Sequence, residues 1–351
     1  MSDRTQPERS TARPTKPADA TPAPEVGPGE APQPEEPVAH AGPVTDGSGS
    51  AGGTPFRAGF VAVVGRPNAG KSTLMNALVG EKIAITSSRP ETTRRAIRGI
   101  LTTASGQIVI VDTPGLHRPR TLLGQRLNDV VEAELDGVDV IAVCLPADEP
   151  TGPGDRRIVA QAFRHPRARH VALVTKTDRV ARGRLPARLV EVDALADWDV
   201  IVPVSAVSGD QVDDVRDELI RQLPASPQLY ESRTTTDDDL ATRCAELVRE
   251  AMLEDLHDEL PHSLAVVVDE ITPPEECAER PIARVYASVY VERDSQKGIV
   301  IGRGGQSLRR YGTAARREIE RLVGGRVHLD LRVKVAREWQ SSPKLRDRLG
   351  F

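Results

Sequence analysis

The stretch Phe60-Val61-Ala62-Val63-Val64-Gly65-Arg66-Pro67-Asn68-Ala69-Gly70-Lys71-Ser72-Thr73 joins an apolar run to a glycine-containing turn. Residues 65–72 fit the pattern G-x-x-x-x-G-K-[ST], in which a strand enters the loop and a helix leaves it. Backbone N–H groups of such a loop surround phosphate oxygens, and the N-terminus of the helix adds positive potential. We expect Lys71 at the β/γ oxygens and Ser72 on Mg²⁺. The expected nucleotide contacts in this loop are Gly65, Asn68, Ala69, Gly70, Lys71, Ser72 and Thr73.

Apolar runs rich in β-branched residues alternate with helical stretches from residue 59 to about residue 223. Most of the runs are continuously apolar, as strands buried on both faces of a parallel sheet are. This alternation predicts a doubly wound α/β domain. Two of the runs are joined closely through Ser105-Gly106 and predict an antiparallel hairpin at one edge. The predicted strands are Phe60–Val64, Ile97–Leu101, Ile108–Val111, Val138–Leu145, Val171–Val174 and Val200–Val204.

Two further segments supply groups that could sense a γ-phosphate. Asp112-Thr113-Pro114-Gly115 follows a predicted strand, so Asp112 can reach Mg²⁺ through water and the Gly115 N–H can contact the phosphate. Thr92-Thr93-Arg94 lies in a polar segment suited to a mobile loop, and we expect the Thr93 hydroxyl to bind Mg²⁺ only beside a γ-phosphate. The catalytic set predicted from these segments is Lys71, Thr93, Asp112 and Gly115.

The base preference is predicted from the segments after the last two strands of this domain. In Thr175-Lys176-Thr177-Asp178, the Asp178 carboxylate can accept two hydrogen bonds from guanine, whereas adenine would present an acceptor to it. The aliphatic part of Lys176 can cover the base, and Ser205-Ala206 can offer a backbone N–H to guanine O6. These segments, in this order and each at the carboxyl end of a strand, favour GTP over ATP.

The remainder of the chain predicts a small α+β domain with a basic surface. Helical spacing begins at Leu240, and a second helix is predicted from Ser307 to about Val323. The predicted strands are Ser263–Ile271, Ile282–Val291 and Val327–Val335. Gly302-Arg303-Gly304-Gly305 separates a strand-like run from this arginine-rich helix, and such a loop allows a single-stranded sugar–phosphate backbone to approach closely. The apolar residues Ile299, Val300, Ile301 and Leu308 form either a groove for bases or part of the core. The predicted RNA contacts are Lys297, Gly302, Arg303, Gly304, Gly305, Arg310 and Arg317.

Composition limits the remaining possibilities. The 351 residues carry a formal net charge of −4, so a polyanion site must be local. Residues 1–55 contain few large apolar residues and predict a disordered tail. Cys144, Cys244 and Cys277 have no metal or disulfide spacing and are expected to be packing residues in a reducing cytoplasm. We expect a tail over 1–55, a nucleotide-binding domain over 56–224, a linker over 225–239 and an RNA-binding domain over 240–351.

The nucleotide segments resemble those of translation-factor-related GTPases, except that Thr175 stands where those proteins usually have Asn. Glu259-Leu260-Pro261-His262-Ser263-Leu264-Ala265-Val266 and Arg293-Asp294-Ser295-Gln296-Lys297-Gly298-Ile299-Val300-Ile301-Gly302 resemble the Era family of bacterial GTPases. The resemblance runs from about Gly59 to the C-terminus. It implies a P-loop GTPase domain followed by a type II KH domain that binds the 3′ end of small-subunit ribosomal RNA and assists ribosome assembly.

This resemblance also sets expectations about mechanism. Water is expected to attack the γ-phosphate in line, but Leu116 stands where some GTPases have a water-orienting Gln, so intrinsic turnover should be slow. Similar GTPases hold K⁺ at the position of Asn68, which makes K⁺ a second expected cofactor. The protein is expected to be a cytoplasmic monomer, with peripheral association at the inner face of the cell membrane kept open. The alternatives are an RNA-binding chaperone with little turnover and a membrane-associated cell-cycle GTPase.

Overall fold

The computed structural model describes residues 55–87, 92–115, 122–256, 260–275, 281–337 and 339. The predicted tail, apart from residue 55, lies outside these residues, as do Leu116 and Cys277. None of the helices within the described ranges is long and apolar enough to cross a membrane.

The first part of the chain forms a six-stranded sheet with the order β2-β3-β1-β4-β5-β6. All neighbouring strands are parallel except β2 and β3, which form the antiparallel hairpin predicted from the sequence. The central strands are almost completely buried, which explains their continuous apolar composition. The strands are β1 (Arg57–Gly65), β2 (Ile97–Thr102), β3 (Gly106–Asp112), β4 (Val140–Pro146), β5 (Arg169–Thr175) and β6 (Val200–Pro203).

Helices cover both faces of this sheet. Two of the helices, α1 (Lys71–Val79) and α5 (Val212–Gln222), pack in one core with residues such as Leu74 and Leu219. The opposite core contains Val131, Ile158 and Val192 from the other three helices. This is the doubly wound arrangement predicted from the alternating pattern. The other three helices are α2 (Leu122–Leu135), α3 (Pro153–Ala162) and α4 (Leu185–Asp193), with short 3-10 helices at Thr177–Arg179 and Arg182–Arg184.

The second part is the predicted α+β unit, built on a three-stranded sheet with the order β7-β8-β9. Strands β7 and β8 are antiparallel, and β8 and β9 are parallel. The longest helix buries Tyr311, Ala315 and Ile319 against this sheet, as its apolar spacing predicts. The elements are α6 (Leu240–Leu253), α7 (Leu260–Ser263), β7 (Ala265–Thr272), β8 (Ile282–Val291), α8 (Asp294–Ile301), the 3-10 turn Arg303–Gly305, α9 (Gln306–Val323) and β9 (Arg326–Val335).

Two sequence expectations in this unit are wrong. Ser263, predicted as the first residue of a strand, ends α7. The strand-like run that directly precedes Gly302 is Ile299–Ile301, and it forms the last turn of α8. The β-branched residues favour a strand only weakly against the tertiary context. Here the Gln296 side chain accepts hydrogen bonds from the N–H groups of Glu292 and Arg293, at 2.9 and 3.0 Å, and so caps the start of a helix.

The segment predicted as a linker, residues 225–239, lies along the first sheet. Ile100 of the edge strand β2 donates a backbone hydrogen bond of 2.8 Å to Thr235 O, and Gly99 forms an isolated bridge with Thr236. The buried Gln107 side chain accepts hydrogen bonds from the N–H groups of Leu229 and Tyr230. The segment is therefore part of the packed structure where it passes β2 and β3.

Candidate functional site

A cavity of about 620 Å³ opens at the carboxyl ends of the central parallel strands. This edge is where open α/β sheets bind ligands, because loops from several strands meet there. The cavity is large enough for a nucleotide. The sequence-predicted residues that line it are Asn68, Gly70, Lys71, Ser72, Thr73, Thr93, Gly115, Thr175, Lys176, Asp178 and Ala206. Gly65, Ala69, Asp112 and Ser205 do not line it.

The phosphate loop has the backbone conformation that the glycine pattern predicts. Asn68 and Gly70 have φ values of 62° and 94°, and α1 begins at Lys71, so the loop turns sharply into the helix N-terminus. Lys71 is buried, and its Nζ donates to the carbonyl oxygens of Gly65 and Arg66, at 3.3 and 3.2 Å. Burial lowers the pKa of Lys71. The Asp112 carboxylate offsets part of this effect, and phosphate oxygens would stabilise the charge of the buried ammonium further.

Gly115 meets the phosphate loop from the other side. A Cβ atom at Gly115 would lie 2.9 Å from the Pro67 nitrogen and 3.0 Å from Pro67 Cα. Only glycine therefore allows this close approach. The contact keeps the segment after β3 next to the loop, which is where a γ-phosphate sensor is needed.

Three oxygen-bearing side chains converge where Mg²⁺ was predicted. Ser72 Oγ donates a 2.6 Å hydrogen bond to Asp112 Oδ2, and Thr93 Oγ1 lies 3.2 Å from Ser72 Oγ and 3.3 Å from Asp112 Oδ2. Burial raises the pKa of Asp112, and its other oxygen, Oδ1, is buried without a hydrogen-bond partner among the described residues. A hard cation with its water ligands would stabilise this carboxylate, so the residues present fit Mg²⁺.

The base-binding residues lie at the ends of β5 and β6. Ser205 Oγ donates a 2.6 Å hydrogen bond to Asp178 Oδ1, which orients the carboxylate towards the cavity edge. The Ser205 N–H donates to Asp210 O. Of the predicted pair Ser205-Ala206, Ala206 is therefore the residue whose N–H is expected at guanine O6. Lys176 has a φ of 60°, and its Nζ lies 3.9 Å from Glu149. The arrangement suits a base held edge-on by Asp178 and covered by Lys176.

Thr175 links the base side to the phosphate side. Its hydroxyl donates a buried 2.7 Å hydrogen bond to Ala69 O in the phosphate loop. Thr175 has no amide with which to brace the phosphate loop, as the usual Asn would. The hydroxyl nevertheless bonds the loop directly, so a connection between the two halves of the site is retained.

We expect Thr175→Ala to weaken GTP binding about tenfold, because leaving a buried carbonyl unbonded costs about 1–3 kcal/mol. Titration calorimetry with GTP and GDP measures the loss. Thr177→Ala is the matched control, since it makes the same change in the same motif, two residues away. Equal affinity losses for the two variants would contradict the role of the Thr175 hydroxyl.

The predicted RNA residues lie around the turn between α8 and α9. Gly302, Gly304 and Gly305 have φ values of 72°, 55° and 77°, and nothing lies within 4 Å of a Cβ placed on Gly304 or Gly305. The backbone of this turn is therefore accessible to a ligand. Arg303 and Arg317 are exposed and Lys297 is partly buried, whereas Arg310 forms a 2.7 Å ion pair with Asp255. Of the four apolar candidates, Val300 belongs to the core and Ile299 is 56% exposed.

Several residues of the cavity were not predicted. Glu149, Arg179 and Val207 line it beside the base-binding residues, and Val207 follows Ser205-Ala206 closely enough to have been a candidate. Glu254, the residue that directly follows α6, lines it from the second unit. No local pattern marks Glu254, because its position depends on how the second unit packs against the first.

Comparisons with known proteins agree with both halves of this structure. The family model described as a 50S ribosome-binding GTPase matches residues 60–176, and that of a KH domain matches residues 259–340. The chain is 58% identical over 300 residues to GTPase Era of Mycolicibacterium paratuberculosis, covering 85% of this chain and all of that protein. It is 56% identical over 301 residues to GTPase Era of Mycobacterium tuberculosis, with the same coverage.

Solved structures give the same result. A crystal structure of Era with MgGDPNP and nucleotides 1506–1542 of 16S ribosomal RNA matches with a TM-score of 0.79 and 31% identity. A structure of a substituted Aquifex aeolicus Era bound to GDP and AlF4⁻ matches with the same TM-score and identity. Each match covers 84% of this chain and 99% of the solved chain.

Proposed function

Because the chain belongs to the Era family of GTPases, we propose that it binds the 3′ end of small-subunit ribosomal RNA and assists assembly of the small ribosomal subunit. The hydrolysis of GTP to GDP is the activity of this family. The observation that carries the RNA proposal is the exposed glycine turn Gly302–Gly305, flanked by Arg303 and Arg317, on a unit matched by a KH domain model. A related Era has been crystallised with this part of 16S ribosomal RNA.

The chain's own residues account for the expected mechanism of hydrolysis. Lys71 and the N–H groups of the phosphate loop bind the β- and γ-phosphates and neutralise their charge. Asp178 and Ala206 hold guanine, which fixes the other end of the nucleotide. Ser72, Thr93 and Asp112 would hold Mg²⁺, which when bound draws charge from the phosphate oxygens. Gly115 brings its N–H to the γ-phosphate side. These residues act by positioning and by electrostatics rather than by forming a covalent bond.

Crosslinking in cells, followed by sequencing of the attached RNA, tests the proposed partner. We expect the reads to concentrate at the 3′ end of small-subunit ribosomal RNA and to fall sharply for a variant altered in Gly302–Gly305. Reads spread over unrelated RNAs would contradict the proposal. Since ribosomal RNA is the proposed partner, we also propose that the protein acts in the cytoplasm. A monomeric state stays a prediction. Peripheral membrane association likewise stays a prediction.

The proposed K⁺ site at Asn68 gives a separate prediction. Asn68 lines the cavity in the phosphate loop, and a monovalent cation there would add positive charge beside the transferred phosphate. We expect GTP turnover to be several-fold faster in K⁺ than in Na⁺. Asn68→Gly should remove the difference, and glycine adopts the φ of 62° without strain, so the loop itself is preserved. Equal rates in the two salts for the unaltered protein would contradict the K⁺ site.

A further inference from the structure

The loop that carries the Mg²⁺-binding hydroxyl is held by the second unit. Thr93 contributes to the oxygen cluster, and the next residue, Arg94, is only 5% exposed. The Arg94 guanidinium donates a 2.5 Å hydrogen bond to Leu264 O and a second one to Pro261 O. On the other side, Arg249 donates a 2.5 Å hydrogen bond to Thr92 O. A movement of Thr93 towards or away from a γ-phosphate is therefore expected to displace α7 and the residue after it, Leu264.

From α7 the contacts continue to the turn that we propose binds RNA. Ser263, the last residue of α7, is buried, and its hydroxyl accepts a 3.1 Å hydrogen bond from Gln296 Nε2. The other side-chain atom of Gln296, Oε1, caps the N-terminus of α8 through the N–H groups of Glu292 and Arg293. Helix α8 has only 8 residues and ends directly at Gly302. A displacement of its first turn is therefore carried to the glycine turn by a short, hydrogen-bonded helix.

We propose that Arg94, Ser263 and Gln296 are positioning residues of one relay, through which the nucleotide bound in the first unit sets the RNA affinity of the glycine turn Gly302–Gly305. The inference rests on the proposed RNA-binding function. It gives a role to the two sequence stretches that carry the family resemblance in the second unit, residues 259–266 and 293–302. The side chains of the relay are buried, and a buried polar group has few alternative hydrogen-bond partners. A displacement of one of these side chains is therefore expected to displace the next one.

The relay acts on an equilibrium, so its strength is a ratio of affinities. If GTP changes RNA affinity by a given factor, RNA changes GTP affinity by the same factor. In the unaltered full-length chain we expect RNA nucleotides 1506–1542 of 16S ribosomal RNA, the fragment found in the related complex, to bind with affinities that differ about tenfold between the GDP form and the form with a non-hydrolysable GTP analogue.

Ser263→Ala tests the relay at its centre. It removes the hydroxyl that accepts from Gln296, so the two affinities should become equal within about twofold, while GTP turnover without RNA stays normal. Ser288→Ala is the matched control, because it removes another buried hydroxyl of the same unit, one that donates to Asp269 instead. The control should keep the tenfold ratio. Arg94→Met, which removes the guanidinium at the other end, should abolish the ratio as Ser263→Ala does.

Hydrogen exchange gives a readout that needs no RNA. The amides of Glu292 and Arg293 should differ in exchange rate between the two nucleotide forms of the unaltered chain, and the difference should vanish in Ser263→Ala and Arg94→Met. An unchanged affinity ratio and unchanged exchange difference in folded Ser263→Ala or Arg94→Met would overturn the relay and leave the proposed function intact. A ratio of one with no exchange difference in the unaltered chain would overturn it too. Failure of the RNA to bind in either form would instead reject the proposed function, and the exchange experiment would still decide the relay.

Discussion

Asp178→Asn is expected to lower the affinity for GTP about 100-fold or more and to raise the affinity for xanthosine triphosphate. Two hydrogen bonds from guanine to a carboxylate are each worth about 1.5–3 kcal/mol, and an amide replaces one of the two acceptors with a donor. Xanthine presents an acceptor where guanine presents an amino group, so it matches the amide. Ser205 Oγ, 2.6 Å from Asp178 Oδ1, holds the side chain in place and can also donate to the amide oxygen of Asn, although that bond is weaker than one to a carboxylate.

Titration calorimetry with both nucleotides measures this change in base preference. Asp210→Asn is the matched control, since it makes the same chemical change nearby, on an exposed residue. Asp210 contacts Ser205 through its backbone carbonyl, which the substitution leaves in place. GTP affinity should stay within about twofold in the control, as for most surface substitutions. If Asp178→Asn binds GTP as tightly as the unaltered chain does, Asp178 does not read the base.

Gly304→Asp is expected to weaken RNA binding about 10- to 100-fold while leaving GTP turnover without RNA unchanged. The new carboxylate would stand where an RNA phosphate passes the turn, and like charges brought together without compensation cost several kcal/mol. The fold should tolerate the change. Gly304 is open on the Cβ side, and its φ of 55° is one that aspartate adopts more readily than most residues.

A second glycine of the same unit provides the control for this experiment. Gly324, after the C-terminus of α9, has a φ of 65°, and nothing lies within 4 Å of a Cβ placed on it. Gly324→Asp therefore introduces the same charge with the same backbone demand at the opposite end of the helix. Filter binding or fluorescence anisotropy with the 3′-terminal RNA compares the two. Equal weakening by both variants would show that net charge, and not the turn, determines the loss.

The nucleotide site could be predicted from the sequence because each of its parts is a short local pattern. The turn at Gly70 and the base-binding carboxylate of Asp178 each follow a strand, and Asp112 ends one. Each of these strands can be recognised from its own apolar composition. Parallel strands bring those carboxyl ends to one edge whatever the details of packing. The class of fold and the position of the cavity therefore follow from residues 57–206 alone.

The contacts across the two units could not be predicted in this way. In the sequence, Arg94 is one of two adjacent arginines in a loop. Nothing in the residues around it indicates that its side chain donates hydrogen bonds to the carbonyl oxygens of residues 261 and 264. Ile299–Ile301 suggested a strand because three β-branched residues stand together, whereas the cap supplied by Gln296 makes the segment helical. Glu254 reaches the cavity only through the packing of α6. Long-range contacts of this kind produce no recognisable periodic pattern in a sequence.

The segment 225–239 has a consequence for dividing this chain into separately produced domains. Strand β2 is the outer strand of the first sheet, and the hydrogen bond from Ile100 to Thr235 and the bridge between Gly99 and Thr236 occupy part of its open side. A fragment that stops at residue 224 would leave those backbone groups available to another chain, and exposed edges of this kind promote self-association. The boundary that preserves a soluble first domain therefore falls after Thr236, whereas the sequence predicts the end of that domain at residue 224.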